Sequence, residues 1–541
     1  MRSTLAKVLH PVCGRPMIAH VLDAALGAGA DRLAVVVGHQ AEDVRASLTA
    51  TFPNADLHTP LQAEQNGTGH AVQCAAKATE GFDELLVLCG DTPNLNTATL
   101  AALRQAHAAS GAELTVVTFT LDDPTGYGRA ITDGAGRMTA IVEHRDADDA
   151  QRAVREVNAG VYLGARDLVF DALSRVDAAN AQGEIYLTDI VALLTQAGHH
   201  VAPFCLDDPQ RVAGVNTRVQ LATLEARMLS DRVTALMEAG VTFENPQNVR
   251  VEAEVTIGQD TTLATGVHLL GTTTVGSGCR IEAGCVLRDC TLGDGVHLKP
   301  YVVAESTTLG DGATAGPFTH MRPGTTLGEG AKLGNFVETK KAVLGKGAKA
   351  SHLTYLGDCE VGDGANIGAG TITCNYDGAY KHKTVIGKEV FIGSDTQLVA
   401  PVTIGDRATV GAGTTVTMDV PPGALIVTRA ERRVIEGYDA RHRQPREARR
   451  AAEKAAAKAK KEDSVIYVVL SDGEVQEGST WEAFMMASSF GCNNLVAVID
   501  NNDFQSLGRT SETHPSFYPL ADKLVAFGWE TVEIEGHDTQ L

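Results

Sequence analysis

An aliphatic residue recurs at every sixth position over a long central part of the chain. A first ladder consists of Ile257, Leu263, Leu269, Val275, Ile281 and Leu287. After a slip, a second ladder consists of Ile386, Ile392, Leu398, Ile404, Val410 and Val416. Neither a helix, with a period of about 3.6, nor a strand, with a period of about 2, produces this spacing. One short strand and one turn per six residues is typical of a hexapeptide β-helix, and the ladder predicts its buried positions.

The second ladder follows an interruption at TCNYDGAYKHKT, residues 373–384. Extra residues in a repeating coil leave the coil as an external loop, and such loops often carry function. We therefore expect this segment to belong to a binding site.

The residues before and after the repeats have a different hydrophobic pattern. Strand patterns at 32–39, 84–93 and 113–121 alternate with helix patterns at 41–52 and 99–111, which favours a parallel sheet with helices on both faces. Residues 217–240 have apolar positions at helical spacing and predict a long connecting helix. We expect five segments, listed by residue number: an α/β domain 1–216, a linker helix 217–246, the β-helix 247–429, a charged Ala/Lys/Arg linker 430–463 and a partial α/β segment 464–541.

Charge and cysteine content exclude several classes of function. A formal net charge of -21 indicates no general affinity for nucleic acid or anionic membranes. The sequence contains no run of about 18 apolar residues, so it predicts no membrane span. Its N-terminus lacks the pattern of a secretory signal. The ten cysteines include no CxxC pair, which is typical of reduced thiols in the cytoplasm.

Polar motifs follow one another closely in the second half of the β-helix, although its fold does not require them. They are RPG (322–324), NFVETKK (335–341), SHLTYLGD (351–358), NIGAGTITCNYDG (366–378) and GSDTQLVAP (393–401). Together they resemble the bifunctional N-acetylglucosamine-1-phosphate uridylyltransferase/glucosamine-1-phosphate N-acetyltransferase family, and the match extends over residues 1–429. This resemblance implies a left-handed β-helix, a homotrimer, and acetyl-coenzyme A and UTP as substrates in UDP-N-acetylglucosamine synthesis.

The resemblance assigns roles to residues of the β-helix. Acetyl transfer to an amine needs a base that is neutral near pH 7, and His352 matches that base. The residues matched to glucosamine phosphate are Arg322, Lys340, Tyr355 and Asn366. The residues matched to acetyl-coenzyme A are Asn375 (also matched to the sugar), Tyr376, Ser394, Ala412 and Arg429.

The N-terminal motifs are LQAEQNGTGHA (61–71), LCGDTP (88–93), PTGYGR (124–129), VEH (142–144), EVNAG (156–160) and GVNTR (214–218). They resemble the uridylyltransferase half of the same family, a Rossmann-like nucleotidyltransferase fold. The matched nucleotide-binding residues are Lys7, Gln62, Gly67 and Thr68. The matched Mg²⁺ ligands are Asp91 and Asn216. The sugar-phosphate positions are Gly128, Glu143, Asn158 and Asn216.

The first residues depart from the family pattern. Family members begin with a strand and a Leu-Ala-Ala-Gly-x-Gly-Thr-Arg-Met loop, whose backbone donors and arginine contact the nucleotide phosphates. This chain starts at or just after that Met, and Ala6 stands where the family usually has Pro. We therefore expect acetyl transfer to be intact and UTP turnover to be weak.

The last segment carries SDGEVQEGSTWEAF and VIDNNDF. These stretches resemble the thiamine diphosphate-binding part of transketolase, with Asp472, Asn502 and the carbonyl of Phe504 matched to the Mg²⁺ that bridges to the diphosphate. Such enzymes also need a second domain that supplies a glutamate to activate the cofactor ring, so we expect no thiamine-dependent catalysis. Two further hypotheses stay open: an acetyltransferase without uridylyltransferase activity, and a non-catalytic trimeric scaffold.

Overall fold

The computed structural model describes residues 1–428, 434–459, 465–471, 475, 478–500, 504–505, 508–509 and 519–533. The chain divides into two compact units, Met1–Arg429 and Ala430–Leu541. The first unit contains the α/β domain and the β-helix. The second contains a charged helix and a small α/β fold.

The α/β domain is built on a six-stranded sheet whose strands are Glu84–Val87, Leu114–Thr120, Arg129–Thr132, Met138–Val142, Glu156–Ala165 and Val201–Leu206. Val201–Leu206 runs parallel to Leu114–Thr120. A separate parallel pair joins Leu33–Ala34 to Leu57–His58. The predicted α/β, Rossmann-like class is confirmed for this domain.

The sheet is mixed, which corrects the expectation of a parallel sheet. Glu156–Ala165 pairs antiparallel with both Leu114–Thr120 and Glu84–Val87. Arg129–Thr132 and Met138–Val142 form an antiparallel hairpin before it. Because an antiparallel neighbour needs no crossover helix, the chain between these strands holds only the single helical turn Asp149–Arg152.

Most helices of this unit bury apolar residues, such as Leu100 and Leu103 of the helix Thr97–Ser110. The bounds of the helices are Met17–Gly27, Ala41–Thr51, Thr68–Cys74, Thr97–Ser110, Asp149–Arg152, Arg166–Leu173, Asp189–Gln196 and Arg218–Glu238. Short 3₁₀ turns occur at Lys7–Leu9, Lys77–Thr79, Pro209–Arg211 and Pro246–Asn248.

The connecting helix predicted for 217–240 spans Arg218–Glu238. Its first turn is closed by a capping box, in which Thr217 and Gln220 each accept a hydrogen bond from the other's backbone N–H. Leu224 packs into the α/β domain, and Leu236 packs into the β-helix core. The helix therefore joins the two cores of this unit.

The hexapeptide repeats form a parallel β-helix of about ten turns. Its strands are Thr242–Phe243, Arg250–Val251, Thr256–Ile257, Thr262–Leu263, His268–Leu270, Thr274–Val275, Arg280–Ile281, Val286–Arg288, Thr291–Leu292, His297–Leu298, Val303–Glu305, Thr308–Leu309, Thr314–Ala315, His320–Met321, Thr326–Leu327, Lys332–Leu344, Lys349–Val361, Asn366–Ile367, Ile372–Cys374, Thr384–Ile386, Phe391–Ile392, Gln397–Val399, Val402–Ile404, Thr409–Val410, Thr415–Val416 and Leu425–Ile426. Each coil pairs in parallel with the next one along the chain.

The aliphatic ladder fills the interior of these coils. All of its members are buried except Ile257, which is half-buried and packs against the core from the third strand. The prediction of the buried positions from the six-residue spacing is therefore confirmed. The residues between the two ladders include the two longest strands, Lys332–Leu344 and Lys349–Val361. These two strands pair with each other in parallel and continue through the corners of the coils.

The predicted external loop leaves the coil between Ile372–Cys374 and Thr384–Ile386. Glu360 pairs with Val385, and Val385 pairs with Thr403, so the coil that includes the loop is longer than the next one. Tyr376 and Tyr380 are exposed at its surface.

The second unit contains a π-helical turn Asp439–Arg443 that continues into the helix Gln444–Ala459. Ile466–Ser471 and Leu495–Asp500 form a parallel pair, with the helix Gly478–Ser489 between them in sequence. This is the predicted βαβ unit. Its remaining described elements are Phe504–Gln505, Gly508–Arg509 and the helix Leu520–Ala526, and its small core consists of Val475, Phe484, Leu520 and Leu524.

Candidate active sites

A lysine and two oxygen-bearing side chains meet in the α/β domain. Lys7 lies on the first 3₁₀ turn, Asp91 follows the strand Glu84–Val87, and Asn216 precedes the connecting helix. The Lys7 ammonium is 2.5 Å from Asp91 Oδ2 and also donates to Asn216 Oδ1. The two oxygens therefore converge on one cation. Hard oxygen donors of this kind fit Mg²⁺, so these two side chains suit the predicted metal position.

The glycine-rich loop 66–69 is held against residues 184–187. Backbone hydrogen bonds of 2.8 Å run from Ile185 to Asn66 and from Gly69 to Ile185. Gly67 has a φ of +105°, and a Cβ there would be 2.5 Å from the carbonyl oxygen of Ile185, so only glycine fits. The Gln62 amide donates to the Gly67 carbonyl at 3.1 Å, and the Thr68 hydroxyl accepts from the Leu187 N–H. The structure thus brings three of the predicted nucleotide-binding residues together.

Gly128, Glu143 and Asn158 also lie close together. The Asn158 N–H donates to the Gly128 carbonyl at 2.9 Å, and a Cβ on Gly128 would be 3.2 Å from Glu143 Oε1. Burial raises the pKa of the Glu143 carboxyl. Sequence reasoning missed Thr188, whose hydroxyl donates to Glu143 Oε1 at 3.4 Å. It also missed Tyr162, whose hydroxyl accepts from the Asn158 amide at 2.8 Å. Nothing in the local motifs signals either contact, because both partners come from other parts of the chain.

His352 lies on the strand Lys349–Val361, directly beside Asn335 on the previous coil. The two side chains are joined by a hydrogen bond of 2.9 Å between His352 Nδ1 and Asn335 Oδ1. The His352 side chain is otherwise exposed, so its second ring nitrogen is accessible to a substrate.

Two of the predicted phosphate ligands, Arg322 and Lys340, lie in a group of cations with Lys381. Arg322 pairs with Glu338 at 3.0 Å. The neighbouring ammonium of Lys381 lowers the pKa of Lys340, and Arg322 acts in the same direction. Three cations this close repel one another and favour a bound anion between them. Sequence reasoning named neither Glu338 nor Lys381, although both lie in motifs or loops that it singled out.

Tyr355 lies on the strand that also carries His352, and Asn366 lies on the next coil, where it pairs with Lys349. Tyr355 pairs with Glu338 on one neighbouring coil and with Ile372 on the other. Asn366 begins the strand Asn366–Ile367 and is half-buried. Both therefore lie in the three coils that contain His352 and the external loop.

The external loop is held by an aspartate at its centre. Asp377 accepts backbone hydrogen bonds from Ala379 and Tyr380 and a side-chain bond of 2.7 Å from His382 Nε2. These donors lower the pKa of the Asp377 carboxyl. Asn375 is buried at the base of the loop, where its amide donates to Asp358 Oδ2 at 2.5 Å. The exposed Tyr376 side chain therefore projects from an ordered loop.

Ser394 and Ala412 occupy exposed turns on successive coils. The Gly413 N–H donates to the Ser394 carbonyl at 2.9 Å, and a Cβ on the adjacent Gly393 would be 2.4 Å from the Ala412 nitrogen. The coils are thus too close here for a larger residue at position 393. Arg429, Asp472 and Asn502 lie outside the described residues. Of Phe504, only its backbone is described, in the short strand Phe504–Gln505.

Three observations concern metals, thiols and membranes. No group of three or more His, Cys, Asp or Glu side chains suited to a metal occurs among the residues that the structure describes. All ten cysteines are free thiols. Within the same residues, no helix combines the length and the apolar character required to cross a lipid bilayer.

Family models match four parts of the chain. The model of the MobA-like NTP transferase domain matches residues 1–182. The hexapeptide repeat of succinyl-transferase matches 248–289, and the bacterial transferase hexapeptide (six repeats) matches 383–417. The thiamine diphosphate binding domain of transketolase matches 444–541.

Three curated relatives are similar along most of their length. The bifunctional protein GlmU of Trichlorobacter lovleyi is 48% identical over 431 residues, which cover 79% of this chain and 93% of the relative. GlmU of Pelobacter propionicus is 47% identical, with 81% and 95% covered. GlmU of Streptomyces avermitilis is 46% identical, with 86% and 96% covered.

Proposed function

This chain belongs to the family of the bifunctional protein GlmU, and on that basis we propose which residues carry out its two reactions. The chain is an acetyltransferase and a uridylyltransferase of UDP-N-acetylglucosamine biosynthesis. One reaction moves the acetyl group of acetyl-coenzyme A to glucosamine 1-phosphate. The other moves the uridylyl group of UTP to N-acetylglucosamine 1-phosphate. The geometry that carries the first assignment is the candidate base His352 on the coils that also hold Arg322 and Lys340.

We assign general-base catalysis to His352. Its Nε2 takes a proton from the sugar amine while the amine nitrogen attacks the thioester carbonyl. The new C–N bond forms, the C–S bond breaks, and the coenzyme A thiolate is protonated to the thiol. Arg322 and Lys340 hold the sugar phosphate, and Tyr355 and Asn366 hold the sugar. Acetyl-coenzyme A is bound by Asn375, Tyr376, Ser394, Ala412 and Arg429.

We assign the uridylyl reaction to the α/β domain. Gln62, Gly67 and Thr68 bind the nucleotide, and Lys7 meets its phosphates. The sugar phosphate contacts Gly128, Glu143 and Asn158. We propose that Asp91 and Asn216 hold Mg²⁺, which when bound neutralises phosphate charge, and that Lys7 then turns towards the phosphates. The convergence of both oxygens on the Lys7 ammonium supports this position.

Both reactions are measured on the full chain, acetyl transfer by release of coenzyme A thiol and uridylyl transfer by release of pyrophosphate. We expect acetyl transfer to be unaffected by a chelator and uridylyl transfer to be abolished by it. The expected weakness of UTP turnover stays a prediction, and the same pyrophosphate assay measures it. Equal loss of both reactions on chelation would contradict the separate metal assignment. A chain that released no thiol and bound no acetyl-coenzyme A would instead support a non-catalytic scaffold.

Replacing Asp377 tests the role of the external loop. We expect Asp377→Ala to raise the KM for acetyl-coenzyme A about 5- to 10-fold with a smaller change in kcat, since it removes three hydrogen bonds that order the loop, each worth about 1 kcal/mol net. Asp289→Ala is the matched control, because Asp289 also accepts a backbone hydrogen bond, from Thr272, at a turn of a distant coil. Equal KM values for the two variants would show that the loop does not contribute to acetyl-coenzyme A binding.

We also propose that the chain is a homotrimer in the cytoplasm. Three exposed aromatic rings, Tyr301, Phe318 and Phe336, stack along one edge of the β-helix with centroids 5.2 and 5.6 Å apart. Such a row of exposed rings favours burial against another copy. Light scattering on the full chain measures the assembly, and a monomer would contradict the proposal. The reduced thiols and the nucleotide substrates support the compartment.

The last segment has a separate proposal. The transketolase match is to its thiamine diphosphate binding domain, over residues 444–541, and the expectation of no thiamine-dependent catalysis stays a prediction. We keep the segment boundaries 1–216, 217–246, 247–429, 430–463 and 464–541 as a proposal. Thiamine-dependent carbon–carbon cleavage by the full chain would contradict the expectation of no thiamine-dependent catalysis.

A further inference from the structure

The candidate base has one side-chain partner, and it is an amide. His352 Nδ1 lies 2.9 Å from Asn335 Oδ1, and the two residues are 17 positions apart, on successive coils. Among the described residues no other side chain hydrogen-bonds to the His352 ring. Catalytic histidines are more often oriented by a carboxylate. Glu338, the acidic residue on the partner strand, is instead paired with Arg322 at 3.0 Å.

The backbone holds this pair in register. Asn335 and His352 are paired residues of the long parallel strands Lys332–Leu344 and Lys349–Val361. The preceding Gly334 lies so close to the next coil that a Cβ would be 1.8 Å from the Ser351 carbonyl oxygen. The residues that follow, Phe336 and Leu353, both take left-handed backbone conformations, with φ of 58° and 43°. The strands therefore bend together at this corner and present both side chains side by side.

We propose that Asn335 is a positioning residue that holds His352 in the tautomer with its proton on Nδ1. An amide oxygen can only accept a hydrogen bond, so the Nδ1 that faces it must donate one. Nε2 then has a free lone pair and is the atom that takes the proton from the substrate amine. This inference rests on the proposed function of His352 and adds the residue that determines which ring nitrogen acts.

The choice of an amide has a consequence for pH dependence. A carboxylate at position 335 would also accept from Nδ1, but it would stabilise the protonated ring and make it a weaker base near neutral pH. The ionisable residues on the paired strand are Lys332, Glu338, Lys340 and Lys341, and those on the histidine's own strand are Lys349, Tyr355, Asp358, Cys359 and Glu360. None of them forms a hydrogen bond or ion pair with the His352 ring in the described part of the chain. Asn335 therefore leaves the ring with an uncharged partner.

Two substitutions separate orientation from charge. We expect Asn335→Ala to lower the kcat of acetyl transfer about 10- to 100-fold with little change in KM, as is usual when an orienting partner is lost. Asn335→Asp keeps the acceptor. We expect it to retain most of kcat at high pH, while the acid limb of its pH–rate profile moves up by about one pH unit. Asn248→Asp adds the same charge at a distant exposed turn and is expected to leave the profile unchanged.

The readouts distinguish this inference from the proposed function. Thermal unfolding of each variant shows that it is folded, and nitrogen-15 spectra of labelled histidine, assigned by comparison with His352→Ala, report the tautomer. If His352→Ala abolishes acetyl transfer but Asn335→Ala keeps kcat within twofold and Asn335→Asp keeps the acid limb in place, only the role of Asn335 is wrong. If His352→Ala remains active, the proposed base itself is wrong.

Discussion

The variant His352→Ala is expected to lose 10²- to 10⁴-fold in the kcat of acetyl transfer, the usual contribution of a positioned general base. The amine of the sugar is largely protonated near neutral pH, and the alanine variant has no group at this position to remove its proton. KM values for both substrates are expected to change little, because the phosphate ligands that we propose, Arg322 and Lys340, form no hydrogen bond to the ring within the described structure. The measurement is the initial rate of thiol release at saturating substrate.

His268→Ala is the control for this variant. His268 is likewise an exposed histidine on a strand of the β-helix, but it pairs with Arg250 and Val286 on coils far from His352 in sequence. We expect its acetyl transfer to match that of the unchanged chain. A His352→Ala chain with a rate within threefold of the His268→Ala chain would exclude His352 as the base.

The variant Gly334→Ala is expected to destabilise the β-helix by about 3 kcal/mol, at the upper end of the usual cost of overpacking. The new methyl group would be 1.8 Å from the Ser351 carbonyl oxygen and 2.5 Å from its carbon. Both are backbone atoms of the next coil, so they cannot swing away as a flexible side chain would. The coils must separate, and Asn335 and His352 separate with them. We therefore expect a lower urea midpoint and a lower kcat of acetyl transfer in the same variant.

Gly330→Ala separates close packing from backbone strain. Gly330 has a φ of +62°, and a Cβ there meets no atom within 4 Å. Its substitution is expected to cost only the left-handed strain of about 1 kcal/mol, with kcat unchanged. Equal urea midpoints for the two variants would show that the close approach at Gly334 does not matter.

The repeating spacing made the β-helix predictable. Ladder residues such as Leu269 and Ile404 are fully buried because a coil with one inward position per six residues leaves no other place for them. The interrupted ladder also predicted the loop around Tyr376. These inferences depend only on local period, which a sequence displays directly.

Strand direction and cross-coil contacts were not predictable in this way. The direction of the antiparallel strand Glu156–Ala165 depends on its pairing with strands that lie elsewhere in the sequence. The contacts of Asn335 with His352 and of Glu338 with Arg322 depend on the exact length of each coil. A change of one residue in a coil would place other side chains opposite each other. The roles of the motif residues came from resemblance, and their contacts came from the structure.

The cations of Arg322, Lys340 and Lys381 predict a property of the sugar that accepts the acetyl group. The proposed phosphate site at Arg322, Lys340 and Lys381, where neighbouring cations lower the pKa of Lys340, predicts that the acetyl acceptor carries a phosphate. The most direct test compares initial rates of thiol release from acetyl-coenzyme A with glucosamine 1-phosphate and with glucosamine, using the full chain. We predict a kcat/KM at least about 100-fold higher for the phosphorylated sugar, equivalent to ~2.7 kcal/mol of charge-assisted binding. Thiol release at the same rate with both sugars, or with neither, would contradict the account.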